Sequence, residues 1–236
     1  MDDSSHHPNG IQLDRVVFFG RTLSEYVKFF NLDLSHWQSS KILDCPSGAA
    51  SFVAEACQMG IHAVACDLLF HLDTKVIIEK GNADYNHVVE RISLVPHLYN
   101  WEVYGGIEGF KEYRKTAFQR FAADYENGKA QGRYIPVELP KLPFADKSFD
   151  LVLSGHFLFV YSDEFNYTFH LNTILELYRV CSKEVRIYPL HGKDAKIYPL
   201  MNHLINDLNS LEISTEIVEV PWEFQKGSHQ MLQLIR

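Results

Sequence analysis

The chain of 236 residues carries 22 basic and 30 acidic side chains, a formal net charge of -8, and 46% of its residues are hydrophobic. This length and composition indicate one globular domain whose core needs neither disulfides nor a structural metal. The negative charge disfavours nucleic acid and anionic lipid as partners, because both repel an acidic surface. We therefore expect a protein that binds neither nucleic acid nor a membrane.

The amino terminus lacks the basic and apolar regions of a secretion signal, and no apolar run approaches the roughly 18 residues of a membrane span. The four cysteines have no C-x-x-C spacing, and the twelve histidines form no cluster with metal-ligand spacing. We expect a cytoplasmic protein with reduced cysteines, no metal, and a disordered tail over residues 1–10.

Short β-rich runs alternate with helical stretches along the chain. The predicted helices cover residues 23–30, 49–59, 72–92, 107–125 and 163–180. The predicted strands cover residues 41–44, 62–67, 134–138, 149–154, 184–190, 215–220 and 230–235. Such alternation favours a parallel sheet with helices on both faces, and the last two strands favour an antiparallel hairpin at the edge. The sequence therefore predicts a doubly wound, mostly parallel α/β sheet of seven strands.

The connection between the second and third strands is longer than one crossover helix requires. We expect residues 72–92 to form the crossover helix. We expect residues 93–132 to form a helical insertion within a single domain that spans residues 1–236. Aromatic side chains recur at helical spacing along the insertion, which would let it cap a ligand site.

The residues that follow the strands mark the expected site, since open α/β sheets bind ligands beyond the carboxyl ends of their strands. Three of the first four strand ends carry a carboxylate, namely Asp44, Asp67 and Glu138, and the fourth strand is followed by His156. This pattern disfavours a phosphate-rich ligand and suits one with ammonium, hydroxyl and amine donors.

Three segments, residues 42–48, 64–67 and 142–156, resemble class I S-adenosylmethionine-dependent methyltransferases. The last is the most specific, since it is similar to the family's Leu-Pro-Phe, acidic, Ser-Phe-Asp segment, which leads into the fourth strand. The resemblance covers residues 40–190 and the closing hairpin. It implies a Rossmann-like methyltransferase fold and methyl transfer from S-adenosylmethionine to a small or medium-sized acceptor, with S-adenosylhomocysteine as product.

The resemblance also implies roles for individual residues. Asp44 and the loop after it would cradle the methionine part of the cofactor, Asp67 would bind the ribose hydroxyls, and Glu138 would approach the adenine amino group. The expected cofactor-binding residues are Asp44, Cys45, Pro46, Ser47, Gly48, Asp67, Leu68, Leu69, Glu138, Leu139, Ser154 and Gly155.

The acceptor side of the expected site is less sharply defined. His156 is the expected catalytic residue, either as a general base for an acceptor that arrives protonated or as a residue that shapes the pocket. Trp101, Tyr104 and Tyr161 are the expected acceptor-binding residues. Arg21 is either a partner for the cofactor's carboxylate or part of a covering helix.

The loop after the first strand departs from the family pattern of three glycines, because Pro46, Gly48 and Ala50 occupy those positions. Proline removes an N–H donor and fixes φ. A non-catalytic or lapsed ligand-binding protein of this fold therefore stays open as an alternative. A nucleotide-dependent oxidoreductase would also place acids at Asp44 and Asp67, but its G-x-G-x-x-G loop is absent.

Overall fold

The computed structural model describes residues 10–236, and these contain one seven-stranded sheet. Its strands are β1 (Lys41–Asp44), β2 (His62–Asp67), β3 (Tyr134–Pro136), β4 (Phe149–Gly155), β5 (Cys181–Tyr188), β6 (Ser214–Glu219) and β7 (Gln230–Ile235). They are ordered β3-β2-β1-β4-β5-β7-β6; the first five are parallel, and β7 is antiparallel to both β5 and β6. The predicted doubly wound sheet with an antiparallel closing hairpin is confirmed.

Six α-helices accompany these strands within residues 10–236; α1 precedes β1, and the other five lie between strands. They are α1 (Leu23–Phe29), α2 (Phe52–Gln58), α3 (Thr74–Ile92), α4 (Ile107–Ala130), α5 (Tyr167–Val180) and α6 (Met201–Ser210). The sequence-based prediction missed α6 and began α5 four residues early. The Asn166 side chain accepts a hydrogen bond from the Phe169 amide (2.9 Å), and this cap sets the start of α5. In the described part of the chain no helix is long and apolar enough to cross a bilayer.

Two hydrophobic cores cover opposite faces of the sheet. Ile42 and Leu151 pack on the face of α1, α2 and α4, whereas their neighbours Leu43 and Val152 pack on the face of α5 and α6. Successive strand residues point to opposite faces. Burial on both faces explains why the central parallel strands are apolar without alternation.

The two helices between β2 and β3 pack differently from the prediction. We expected residues 72–92 to be the crossover helix, but α4 packs against α2 and β3 and leads into β3. The rings of Phe121 and Tyr125 on α4 are fully buried against Phe70 (centroid distances 6.1 and 5.7 Å). The aromatic stripe of α4 therefore covers the sheet, and α3 packs against α4, where a Cβ on Gly81 would collide with the Phe118 ring.

The chain before α1 is held at two points by buried carboxylates. The first is Asp84 on α3, which accepts the Phe18 amide (2.7 Å) and the Arg15 guanidinium (2.9 Å) and pairs with Lys80. Residues 1–9 of the expected tail lie outside the described residues. Residue 10 of that tail is buried and packs against the backbone of residues 193 and 194, so at this position the expected disorder is wrong.

The second point is the fully buried ion pair between Glu25 of α1 and Arg114 of α4. Glu25 also accepts the Thr22 amide (2.8 Å), and Arg114 donates to the Gly20 carbonyl (2.7 Å) and to the Tyr104 hydroxyl (3.1 Å). One charged pair thus connects α1, α4 and the segment that precedes α1.

Replacing Arg114 with Met should leave the Glu25 carboxylate buried without its cation, so we expect the free energy of unfolding to fall by about 3–5 kcal/mol. Urea denaturation measures the change. Arg120→Met is the matched control, because Arg120 on the same helix forms a half-exposed pair with Glu55 and should cost less than about 1 kcal/mol. Equal losses in the two variants would contradict this assignment.

Candidate functional site

A cavity of about 510 Å³ lies at the carboxyl edge of the sheet, where the strand order reverses between β1 and β4. Its volume is in the range of small-molecule sites. The expected site residues that line it are Pro46, Ser47, Gly48, Asp67, Leu68, Leu69, Glu138, Leu139, Gly155, His156 and Tyr161. The expected site residues that do not line it are Asp44, Cys45, Ser154, Trp101 and Tyr104. The fold therefore brings together residues from the ends of β1, β2, β3 and β4.

The loop after β1 forms the floor of this cavity. Gly48 has φ +57, and a Cβ there would sit 2.7 Å from the Phe19 carbonyl oxygen, so the position requires glycine. A Cβ on Gly20 would likewise collide with the Ala49 carbonyl. The loop and the segment before α1 are thus in direct backbone contact. Gly48, the second glycine of the family pattern, still provides the positive φ and the close backbone approach.

Pro46 changes the loop less than its chemistry suggests. Both flanking amides are used inside the sheet, since Cys45 donates to the Leu153 carbonyl and Ser47 to the Cys66 carbonyl (2.8 Å each). Cys45 itself is fully buried. Ser47 lines the cavity, but its hydroxyl is buried and interacts with the Asp44 carboxyl, whose pKa it lowers.

Asp67 ends β2 and links two loops at the cavity wall. One carboxylate oxygen accepts the Gly48 amide and the other accepts the Leu69 amide, both at 2.9 Å. Burial raises the pKa of Asp67 above its usual value, although these two amides oppose the change. Each oxygen keeps a further lone pair, so the group can also accept hydrogen bonds from a ligand's hydroxyls.

Apolar side chains flank Asp67 on the adjoining wall. Leu68, Leu69 and Leu139 line the cavity beside it, and Leu68 is 54% exposed. The exposed Glu138 side chain also lines the cavity and makes no hydrogen bond or ion pair within residues 10–236. A flat apolar ring with an amine at its edge suits this wall.

Asp44 occupies a different place from the one expected of it, because Tyr26 covers it. The Tyr26 ring stacks on Phe52 (4.6 Å between centroids), and its hydroxyl donates to the Asp44 carboxyl (3.0 and 3.2 Å). Burial raises the pKa of Asp44 to about 7. Tyr26 and Ser47 line the cavity and both contact Asp44, whereas Asp44 does not line it.

His156 lines the cavity at the carboxyl end of β4. Its φ of 55 is left-handed, and its amide donates to the Tyr188 carbonyl (2.6 Å). The imidazole packs edge-on against Phe29 and Tyr188 (5.0 and 5.1 Å), and its Nδ1 has no partner among the described residues. The Ser154 hydroxyl, two residues earlier, is also buried without a partner. Burial, with the Arg21 and Arg114 cations, holds the His156 pKa well below its usual value.

Aromatic side chains dominate the rest of the cavity. Tyr161 lines it, and the Tyr161 hydroxyl accepts the Val17 amide (3.2 Å). Trp101 and Tyr104 stand one layer behind, since both pack on Phe110 and Phe224. The aromatic side chains that line the cavity are Phe18, Phe19, Tyr26, Tyr99, Phe110, Phe157, Tyr161, Phe165, Phe169, Tyr188 and Phe224.

The sequence-based prediction missed whole walls of the cavity. The lining residues that were not predicted lie before α1, on α3, after β5 and in the turn between β6 and β7. They include Ile11, Leu13, Arg15, Val16, Val17, Lys80, Val88, Ile92, Lys193, Gln225 and Ser228. The apolar run before Gly20 was the one available signal for the first wall. Within residues 10–236 no group of three His, Cys, Asp or Glu side chains is placed to hold a metal ion.

Comparisons with known proteins find a relative that matches nearly the whole chain and several solved structures of similar fold. No protein-family model matches. The chain is 31% identical over 227 residues to an uncharacterized protein of Methanocaldococcus jannaschii, covering 96% of this chain and 99% of the other. Among solved structures it resembles a SAM-dependent methyltransferase from Aquifex aeolicus (TM-score 0.43, 14% identity, 89% of this chain and 90% of the other). It also resembles magnesium protoporphyrin IX methyltransferase from Synechocystis, solved with bound SAM (TM-score 0.42, 10% identity, 86% and 76%).

The raised pKa of Asp44 predicts a pH-dependent penalty. Between the usual pKa of 3.8 and the folded value of about 7, the folded protein keeps a proton that the unfolded chain has released, so stability falls as pH rises. Asp44→Asn cannot titrate, and its amide oxygen still accepts from Tyr26. We expect this variant to gain stability on the wild type across that range, by at most about 1.4 kcal/mol per pH unit. Urea denaturation measures the stability of both proteins. If their stabilities change with pH in the same way, the assignment is wrong.

The environment of His156 predicts an imidazole that stays neutral in mildly acidic solution. NMR titration of the histidine ring signals, with His156→Gln used to assign them, should place its midpoint below the usual value of 6.5. The reason is that protonation would put a cation into a buried site that already faces two arginines. A midpoint at or above the usual value would show that this burial is wrong.

Proposed function

The chain belongs to the family of the Methanocaldococcus jannaschii protein and has the sheet of the class I S-adenosylmethionine-dependent methyltransferases, and from this premise we propose that it transfers a methyl group from S-adenosylmethionine to a small acceptor. The acceptor lies in the aromatic part of the cavity. S-adenosylhomocysteine is the product that remains bound at the carboxyl ends of β1 and β2.

One observation carries this proposal, the carboxylate of Asp67 at the end of β2. It lines the cavity, it is oriented by the Gly48 and Leu69 amides, and it keeps lone pairs for two neighbouring hydroxyls. An acid at this strand end, beside a loop with a glycine at positive φ, is suited to the ribose of a nucleoside ligand.

The residues around Asp67 fit the remaining parts of the cofactor. Leu68, Leu69 and Leu139 would flank the adenine, and Glu138 would accept from its amino group. Pro46, Ser47 and Gly48, which line the cavity at the loop after β1, would contact the methionine part. A pyrophosphate would instead face two carboxylates, which disfavours a dinucleotide in this cavity.

When bound, S-adenosylmethionine supplies a methyl group that is already activated by its sulfonium. The chain's own contribution is therefore alignment and a dry site. The aromatic side chains exclude water from the cavity, and the neutral His156 ring, which lines it, accepts a hydrogen bond from the acceptor's hydroxyl or amine. Its depressed pKa makes His156 a weak base, so it orients the acceptor more than it removes a proton.

The acidic surface and the enclosed cavity support a small molecule rather than nucleic acid as the acceptor. Cys45, Cys57, Cys66 and Cys181 are all free thiols. That state supports a cytoplasmic location, because disulfides are rare in the reducing cytosol.

Replacing Asp67 with Asn tests the proposal directly. The amide can keep one of the two backbone contacts but loses the charge that strengthens hydrogen bonds from the ribose hydroxyls, each worth about 1.5–3 kcal/mol. We expect the Kd for S-adenosylhomocysteine to rise at least about ten-fold in calorimetry.

Asp73→Asn is the matched control, since Asp73 is an exposed acid just before α3 and does not line the cavity. This variant should bind S-adenosylhomocysteine as the wild type does. Thermal shifts with S-adenosylmethionine and NAD extend the test. Stabilisation by NAD alone, or no binding of S-adenosylhomocysteine by the wild type at millimolar concentration, would overturn the proposed function.

A further inference from the structure

Arg21 differs from the other cationic side chains of the cavity. Arg15, Lys80 and Lys193 also line it, but each of these is paired with at least one acid. The Arg21 guanidinium has no hydrogen bond, ion pair or ring contact among residues 10–236. It is therefore the one unpaired cation on the described cavity wall.

The electrostatic neighbours of this cation are four tyrosines, of which Tyr104 has the largest effect on its pKa. Tyr26, Tyr161 and Tyr188 line the cavity and are its electrostatic neighbours, and His156 at the end of β4 also senses its charge. Burial lowers the pKa of Arg21 from its usual value. The Arg21 side chain is partly buried and has no acid beside it, so an anion from the ligand would compensate for the water that it has lost.

We propose that Arg21 binds the carboxylate, or an equivalent anionic group, of an aromatic methyl acceptor whose ring lies among the tyrosines and phenylalanines of the cavity. This inference rests on the proposed function and adds the chemical class of the methyl acceptor. The guanidinium presents a planar fork that matches a carboxylate, and the rings around it match a flat apolar body.

Arg21 shares the cavity wall with Phe157, Tyr161 and Phe165, which follow the strand that ends beside His156. The Arg21 carbonyl accepts a hydrogen bond from the Ser51 amide (3.0 Å), so its backbone also lies beside the loop after β1. We take the acceptor as the source of the carboxylate because the aromatic wall suits its ring, and the cofactor's carboxylate is the competing outcome of the test.

The test uses the full chain saturated with S-adenosylhomocysteine and three sets of matched probes. Each set contains an aromatic carboxylate, its neutral amide and the corresponding amine, built on benzoate, phenylacetate and cinnamate skeletons. We expect at least one carboxylate to bind at least about ten-fold more tightly than its amide, and Arg21→Gln to abolish that preference. Arg21→Lys should restore only part of it, because lysine keeps the charge but not the fork.

Lys196→Gln is the control for net charge, since Lys196 is exposed and lies outside the cavity lining. It should keep the preference for carboxylate. Equal binding of carboxylate and amide by the wild type, no carboxylate binding, or a preference that survives in Arg21→Gln would overturn the inference.

A second arm separates the two sources of the carboxylate. Binding of S-adenosylhomocysteine and of methylthioadenosine, which lacks the amino-acid part, is measured in wild type and Arg21→Gln. Similar affinities in the two proteins support the acceptor assignment. A loss of at least about ten-fold confined to S-adenosylhomocysteine would show that Arg21 holds the cofactor's carboxylate. That result overturns this inference and leaves the proposed function standing.

The His156 ring gives a readout that does not need turnover. Arg21 is one of the groups that lower the His156 pKa, after burial itself. An anion bound at Arg21 should raise the midpoint of the His156 titration, whereas the matched amide should not. A midpoint that responds to neither ligand in the wild type would contradict binding at Arg21.

Discussion

The buried ion pair of Glu25 and Arg114 is the contact on which the site depends. It ties α1 to α4 and, through the Gly20 carbonyl, fixes the segment whose backbone lies on the loop after β1. Asp84 holds the same segment farther upstream through the Phe18 amide. Because that segment is one wall of the cavity, these paired buried charges hold part of the ligand site in place.

The loop after β1 shows how a departure from a family pattern can be tolerated. Gly48 keeps the positive φ and the close approach to Phe19 that only glycine permits. At Pro46 the lost amide matters less, because the flanking amides of Cys45 and Ser47 bond to strand carbonyls rather than to a ligand. Pro46, Ser47 and Gly48 are residues of the loop that line the cavity.

Charge is distributed unevenly along the cavity. Asp67 and Glu138 line it together with leucines, and the unpaired Arg21 lines it together with aromatic side chains. Asp44 does not add to the acidic side, since Tyr26 covers it and burial raises its pKa to about 7. The cavity therefore offers both carboxylate hydrogen-bond acceptors and one unpaired cation to its ligands.

The sequence by itself determined the sheet and the strand-end residues. Apolar runs and their periodicity are local properties, so the predicted bounds of β1, β2 and β7 agree with the structure, and Asp67 and His156 could be placed at strand ends in advance. Only the tertiary structure decided which side chains meet. The covering of Asp44 by Tyr26, the pairing of Glu25 with Arg114 and the isolation of Arg21 each join segments far apart in the chain. The exchange of roles between α3 and α4 has the same origin, because two amphipathic helices in one connection carry no local signal of which one packs on the sheet.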